Sequence, residues 1–161
     1  KLGAHSIIDP YKGKCMSFKN EAQAYLCFID TVGLDNYVSR VVKSLGSLDS
    51  KTTLIGFSIG ASAIWRLSLN NENTFIQQAF CFYGSQIRNS IEIEPCFEIN
   101  LVFPKSESHF DVDELINKLA IKDNVKITQV DYLHGFMNYH SSNYNNIGYQ
   151  EHIDLLRSTT R

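Results

Sequence analysis

The segment "TTLIGFSIGASAIW", residues 52–65, decides the fold that we predict for this chain of 161 residues. The β-branched, apolar run 51–57 predicts a strand, and the run 61–70 predicts a helix soon after it. Between them, Ser58 lies midway between Gly56 and Gly60. A sharp strand-to-helix turn needs small residues at those two positions, and it lifts a serine hydroxyl clear of the backbone. Taken alone the pattern is weak, because a glycine-rich turn that merely packs has the same sequence.

Strands and helices alternate along the rest of the chain. Further strands are predicted at 4–11, 79–83, 97–103 and 125–132, and further helices at 19–30, 36–45, 111–122 and 148–158. This alternation indicates an α/β fold, with a mostly parallel sheet and helices on both faces. No repeat or linker interrupts it, so we expect residues 1–161 to form a single domain.

Helix ends and faces follow from local signals. Asp35 is the expected N-cap of helix 36–45, and Gly46 stands where a glycine should follow the last turn. In helix 19–30 the apolar residues at helical spacing predict the buried face, and these are Ala22, Tyr25, Leu26 and Ile29.

Composition and charge exclude several classes of function. The net charge is −2 and 43% of the residues are hydrophobic, so the chain lacks the basic surface that a nucleic-acid partner requires. No apolar run approaches the length of a membrane helix, and no signal peptide is visible. The four cysteines Cys15, Cys27, Cys81 and Cys96 are scattered, which predicts free thiols of a cytoplasmic protein and supports no metal site.

A serine nucleophile needs a base, and His134 is the strongest candidate among five histidines. It directly follows the strand predicted at 125–132 and precedes Gly135. Functional groups gather at the carboxyl ends of strands in open α/β sheets, which places His134 at the same edge as Ser58. Three other histidines are weaker candidates. We expect His5 to be a core or edge residue of the first strand, His140 to lie in a loop, and His152 to be exposed on the last helix.

The third group should be an acid that orients the histidine. In this type of fold the chain order is nucleophile, acid, histidine, so the acid belongs between Ser58 and His134. Glu107 is the best placed, since it follows the strand 97–103. Asp111 and Asp113 are expected to cap the next helix or to favour its N-terminus by charge.

With these residues identified, the chain resembles the dienelactone hydrolase family of α/β-hydrolases. The similar segments are "GFSIGA", "FCFYGS", "LVFPKSESHF" and "DYLHGF", in the family's order and at near-family spacing. The resemblance implies an α/β-hydrolase fold, with Ser58 as nucleophile, His134 as base and the Ile59 N–H as an oxyanion-hole donor. It implies a small carboxylic ester or thioester as substrate, an acyl-enzyme on Ser58, and no metal or organic cofactor.

Three departures from the family qualify the resemblance. The enzymes that name the family carry a cysteine nucleophile, and this chain has Ser58. A gapless alignment puts Ser108 at the position of the family's aspartate, so either Glu107 has taken over that role or the acid is missing. The segment "HSIIDPY" is similar to the family's fourth strand. The earlier strands, and the loop that supplies the second oxyanion donor, therefore have no counterpart here.

The third departure leaves two structural alternatives. A missing strand would leave a gap or an exposed edge in the sheet, so we expect an α/β-hydrolase fold that is incomplete at its N-terminus. A smaller, rearranged sheet is the other possibility.

The weak acid position and the missing loop keep a second function open. This is a catalytically degenerate member of the fold that binds a small ligand or a partner without turnover. Acyl transfer to an acceptor other than water uses the same residues as hydrolysis. Catalysis predicts Ser58 Oγ within hydrogen-bond reach of His134, with a carboxylate on the other ring nitrogen.

Overall fold

The structure, a computed structural model, describes residues 6–69 and 75–159. Within these ranges there is one four-stranded parallel sheet, and its spatial order follows the chain. The strands are β1 (Thr52–Phe57), β2 (Ile76–Phe82), β3 (Glu98–Phe103) and β4 (Val125–Gln129). The predicted α/β class is confirmed, as are the last four of the five predicted strands. β2 begins three residues before the predicted 79–83, and the other three strands are shorter than predicted.

Five α-helices accompany the sheet in the described part of the chain. They are α1 (Glu21–Thr31), α2 (Leu34–Leu45), α3 (Ile59–Leu67), α4 (Val112–Leu119) and α5 (Asn146–Thr159), and a short 3₁₀ helix spans Ser85–Asn89. The helix predicted at 61–70 ends earlier than expected, because α3 stops at Leu67 with Ser68 as its C-cap; the "NNEN" segment that was expected to end it lies outside the described residues.

Helices cover both faces of the sheet, as predicted. Ala79, Cys81 and Leu101 point to one face, where they pack in a core with α2, α3 and α4. The alternate residues Phe80 and Phe82 point to the other face and pack with residues that include Leu156 of α5. Because both faces of the central strands β2 and β3 are largely buried, these two strands end in continuous apolar runs rather than in alternating ones.

The turn between β1 and α3 is built on very close packing at Gly56. A Cβ at this position would lie 2.6 Å from the Ala61 nitrogen and 2.6 Å from the Gly60 carbonyl carbon, both of which are backbone atoms. A Cβ at Gly60 would meet nothing within 4 Å. We expected both positions to require a small residue, and this is wrong for position 60. The helix also begins at Ile59, two residues earlier than predicted.

The strand predicted at 4–11 is wrong for its described part, because residues 6–9 have no regular secondary structure. The segment runs along α2 instead. The Tyr37 hydroxyl donates to the carbonyl oxygen of Ile8 at 2.7 Å, and the Arg40 guanidinium donates to the carbonyl oxygen of Pro10. Two carbonyl groups are thus bonded to side chains rather than to a neighbouring strand. His5 lies outside the described residues.

Helix α1 faces the core differently from the prediction. Tyr25, Leu26 and Ile29 are all more than 40% exposed, whereas Phe28 is buried. The Phe28 ring packs edge-on against Tyr37 of α2 at a centroid distance of 5.9 Å. The orientation of α1 is therefore set by this partner helix, which the periodicity of α1 alone does not reveal.

The predicted caps of α2 are also displaced. Gly33, with φ of 71°, is the N-cap, and Asp35 lies in the first turn. The Asp35 carboxylate accepts a hydrogen bond from Arg66 of α3 at 3.0 Å instead. Gly46 ends the helix in a right-handed conformation with φ of −61°, so it does not provide the left-handed turn that glycine usually supplies there.

We predict that Gly56→Ala destabilises the protein by about 2 kcal/mol or more, because a methyl group there overlaps backbone atoms that cannot move independently. Gly60→Ala is the matched control. It adds a methyl group into open space in a helix, and it should be neutral or stabilising by about 0.5–1 kcal/mol. Urea unfolding of both variants measures the difference. Equal stabilities would contradict the packing described for Gly56.

Candidate active site

The carboxyl ends of the four strands are aligned at one edge of the sheet. Phe57 pairs with Phe82, and Phe82 pairs with Val102. The backbone bonds continue past the strands, since the Ser58 N–H donates to the Phe82 oxygen at 2.9 Å and the Tyr83 N–H donates to the Val102 oxygen at 2.8 Å. Residues that follow different strands are thereby brought to a common edge.

Ser58 occupies the turn at the end of β1 in a strained conformation. Its φ of 50° and ψ of −111° lie in a region that non-glycine residues rarely adopt. Such strain costs about 1–3 kcal/mol and is found preferentially at functional sites. The next residue, Ile59, is the first of α3, so its N–H belongs to the helix N-terminal groups that lack an intrahelical acceptor.

His134 connects Ser58 to Glu107. Its Nε2 lies 3.1 Å from Ser58 Oγ, and its Nδ1 lies 2.7 Å from Glu107 Oε1. The side chains of His134 and Glu107 are 29% and 10% exposed, so the carboxylate is well shielded from water. With Nδ1–H donating to the carboxylate, the Nε2 lone pair faces the serine hydroxyl and can accept its proton. The sequence-predicted serine, histidine and acid therefore meet around one imidazole.

The other polar residues after β3 have different partners. Asp111 is the N-cap of α4 and accepts the Glu114 N–H at 3.0 Å, as expected. Asp113 accepts a hydrogen bond from the Gln129 side chain at 2.9 Å. Ser108, the residue that a gapless alignment puts at the acid position, is exposed. Among these residues Glu107 is the one bonded to His134.

Tyr83 forms one wall against the imidazole. Its ring centroid lies 4.8 Å from that of His134, and the residue is only 3% exposed. Its φ of 43° is a second strained backbone position at the same sheet edge. Burial raises the pKa of the Tyr83 hydroxyl, and the negative charge of Glu21 raises it further. Tyr83 is consequently a neutral aromatic neighbour of His134.

The loop that carries His134 is held by polar side chains that sequence reasoning missed. The Asn143 side chain donates to the His134 carbonyl oxygen at 2.9 Å. Ser141 and Asn138 both donate to the carboxylate of Glu21, at the start of α1. Glu21 is far from this loop in the sequence, and no local pattern connects the two.

Two other histidines lie away from this arrangement. His140 is exposed in the loop, in accord with its prediction. His152 was expected on the exposed face of the last helix, and this is wrong, since only 8% of it is exposed. Its ring packs against Phe82 and Phe136, and its Nδ1–H donates to the Gly148 carbonyl oxygen at 2.7 Å. The inner face of α5 thus includes a histidine in its apolar packing.

Within residues 6–69 and 75–159, no three His, Cys, Asp or Glu side chains are grouped so that they could bind a metal ion. No helix in the same ranges is both long and apolar enough to cross a bilayer.

The fold and the arrangement at the sheet edge define a protein of the α/β-hydrolase fold. Solved structures similar to it include a lipase-esterase related protein from Clostridium acetobutylicum ATCC 824, with a TM-score of 0.52, 12% identity and coverage of 76% of this chain and 75% of that one. Another is a dienelactone hydrolase-like promiscuous phosphotriesterase from metagenomic libraries, with a TM-score of 0.54, 9% identity and coverage of 86% and 65%. At these identities the likeness concerns the fold alone.

The chain belongs to the family of YczH from Bacillus subtilis (strain 168), which is itself described as an uncharacterized protein. The two sequences are 36% identical over 166 residues, which cover 98% of this chain and 80% of YczH. No protein-family model matches the chain.

Ser58→Gly should be more stable than Ser58→Ala by about 1 kcal/mol, although both variants lose the hydroxyl group. Glycine adopts the positive φ of this turn without a Cβ clash, and that gain exceeds the added entropy of its unfolded state. Equilibrium unfolding in urea compares the two. An alanine variant as stable as the glycine variant would show that the turn is not strained.

Proposed function

We propose that this protein is a serine hydrolase that cleaves a small carboxylic ester or thioester through an acyl-enzyme on Ser58. One observation carries the proposal: a single imidazole, that of His134, lies within hydrogen-bond distance of Ser58 Oγ on one nitrogen and of Glu107 on the other. This is the relation that activates a serine in unrelated hydrolases, where the acid is either aspartate or glutamate.

Each group has a defined role in the proposed reaction. Ser58 Oγ attacks the carbonyl carbon while His134 Nε2 takes the hydroxyl proton, and the carbonyl electron pair moves to oxygen. The imidazolium then gives that proton to the departing alcohol or thiol as the carbon–leaving-group bond breaks. Water attacks the acyl-enzyme with His134 again as base, which releases the acid and restores Ser58. Glu107 holds the ring and stabilises its cationic form.

The start of α3 favours the negative oxygen of the tetrahedral intermediate. The Ile59 N–H is the donor next to the nucleophile, and the helix N-terminus adds partial positive charge. Donors of this kind lower the barrier because they are already oriented when the charge develops.

The substrate class rests on the resemblance to dienelactone hydrolases and on the nature of the nucleophile. A serine activated by a neutral base suits esters and thioesters, and the chain resembles the family most closely around Ser58 and His134. One similar structure is named a phosphotriesterase, so a phosphotriester belongs in the substrate screen beside the esters.

A second candidate is a protein that binds a small ligand or a partner without turnover. It is favoured by one observation: residues 6–51 contain α1 and α2 but no strand. In this fold the second N–H of the oxyanion hole comes from a loop that follows an earlier strand. A binding protein would have no need of that second donor.

The first test is labelling of Ser58 by a fluorophosphonate probe. We expect a stoichiometric adduct on Ser58, located by mass spectrometry, because an activated serine attacks phosphorus as it attacks an acyl carbon. Ser58→Ala should abolish the adduct, and His134→Ala should slow its formation by about 10²-fold or more. If the folded protein formed no adduct, the serine-hydrolase proposal would be refuted, and the protein that binds without turnover would remain.

A second prediction concerns the acid. Glu107→Gln should lower the rate of p-nitrophenyl acetate hydrolysis by about 10²–10⁴-fold, because an amide neither stabilises the imidazolium nor fixes its tautomer. Ser108→Ala is the control at the neighbouring exposed position, and it should leave the rate within about twofold of wild type. If Ser108→Ala lowered the rate more than Glu107→Gln, the assignment of Glu107 as the acid would be wrong.

A further inference from the structure

The loop from His134 to Asn145 consists of turns, and few of its contacts reach the rest of the molecule by hydrogen bonds. The Ser141 N–H donates to the Asn138 oxygen at 2.9 Å, and the Asn145 N–H donates to the Phe136 oxygen at 3.0 Å. These bonds hold the loop to itself. Phe136 and Met137 anchor its first residues in the core beside α5, but that core includes none of residues 138–145, whose position depends on other contacts.

Apart from the hydrogen bonds of the His134 ring to Ser58 and Glu107, the carboxylate of Glu21 accepts the long-range hydrogen bonds of this loop. Its Oε1 accepts the Asn138 side-chain N–H at 3.1 Å, and its Oε2 accepts the Ser141 hydroxyl at 2.9 Å. Ser141 is 7% exposed, and its own Oγ accepts the Asn143 N–H at 3.2 Å. A buried hydroxyl that loses its acceptor carries a larger energetic cost than an exposed one.

The same carboxylate is packed close to the backbone beside His134. Gly135 has φ of 83°, and a Cβ there would lie 3.1 Å from Glu21 Oε1 and 2.7 Å from Ser141 Oγ. Asn143, bonded to Ser141, also donates to the His134 carbonyl oxygen. A continuous set of contacts therefore runs from Glu21 to the peptide that carries the imidazole.

We infer that Glu21 is a positioning residue for His134: by binding Asn138 and Ser141 it fixes the loop so that the imidazole lies between Ser58 and Glu107. This inference rests on the proposed function for its effect on reactivity, but the tether itself does not. Misplacement of a catalytic group by about 1 Å can cost a factor of about 10² in rate. Loosening this loop therefore affects the rate more than it affects the fold.

Glu21 also lies in the first turn of α1, where any acid is favoured by the helix dipole. The substitution series separates the two roles. Glu21→Ala removes both the charge and the two acceptors. Glu21→Gln removes the charge but keeps one acceptor for Asn138, while its amide can donate to the Ser141 hydroxyl. Asp30→Ala, an exposed acid on the same helix, is the matched control.

The experiment measures the rate constant of fluorophosphonate labelling at Ser58 together with hydrogen exchange of the backbone amides. We expect Glu21→Ala to label about 10-fold to 100-fold more slowly than wild type. Glu21→Gln should recover most of that rate, and Asp30→Ala should match wild type. Ser141→Ala should also slow labelling, and adding it to Glu21→Ala should have little further effect, because the two residues act through one contact.

Hydrogen exchange distinguishes a local tether from general destabilisation. In Glu21→Ala, faster exchange should be confined to amides between 136 and 145, while β2 and β3 stay protected. Wild-type labelling rates in Glu21→Ala would overturn the inference, and so would exchange that rises equally throughout the sheet. A wild-type protein that the fluorophosphonate does not label would refute the proposed function. The hydrogen-exchange data would then show by themselves whether Glu21 holds the loop in place.

Discussion

The contact between Gly56 and the start of α3 is the constraint on which the site depends. It lets the helix begin immediately after the strand, and this leaves Ser58 with a positive φ at the turn. The surrounding packing has to hold that conformation, because a free chain would relax from it. The buried Ala61 and Ser62 in the first turn of α3, which packs against Gly56, supply this support.

Parallel strands then bring distant residues together. Each strand ends at the same edge of the sheet, so the segments after β1, β3 and β4 all start at this edge although they are far apart in the chain. β3 and β4 are adjacent strands, whereas β2 lies between β1 and β3. The backbone bonds that extend past β1 and β2 keep Ser58 and Tyr83 in register with the strands beside them. Glu107 and His134 need only short excursions from their own strands to meet.

The imidazole of His134 is fixed from several directions. Two hydrogen-bond partners define the plane and the ends of the ring, and Tyr83 packs against it. The backbone behind it is held by Asn143 and, through Ser141, by Glu21 of a helix on a different part of the chain. A ring held in this way loses little freedom when it begins to transfer protons, which is the condition for efficient acid–base chemistry.

Local sequence predicted the elements that apolar runs specify. It failed for segments whose conformation or burial depends on packing against another element. The two central strands, β2 and β3, are mostly buried, and the edge strands β1 and β4 are rich in β-branched residues, so composition was enough to identify all four. Ile7 and Ile8 suggested a further strand, yet side chains of α2 bond the carbonyl groups of Ile8 and Pro10, and residues 6–9 form no strand. The face of α1 and the burial of His152 were decided in the same way, by Phe28 packing on Tyr37 and by aromatic rings around the imidazole of His152.

The candidate site shows the same division. The sequence by itself determined that a serine lies between glycines after a strand, that a histidine follows a later strand, and that carboxylates lie between them in the chain. Only the tertiary structure decided that Glu107 reaches the imidazole, while Asp111 and Asp113 bond elsewhere and Ser108 is exposed. It alone revealed Glu21. The reason is physical: turns and strand ends are encoded by neighbours in sequence, whereas a hydrogen bond between side chains depends on the packing of the whole sheet.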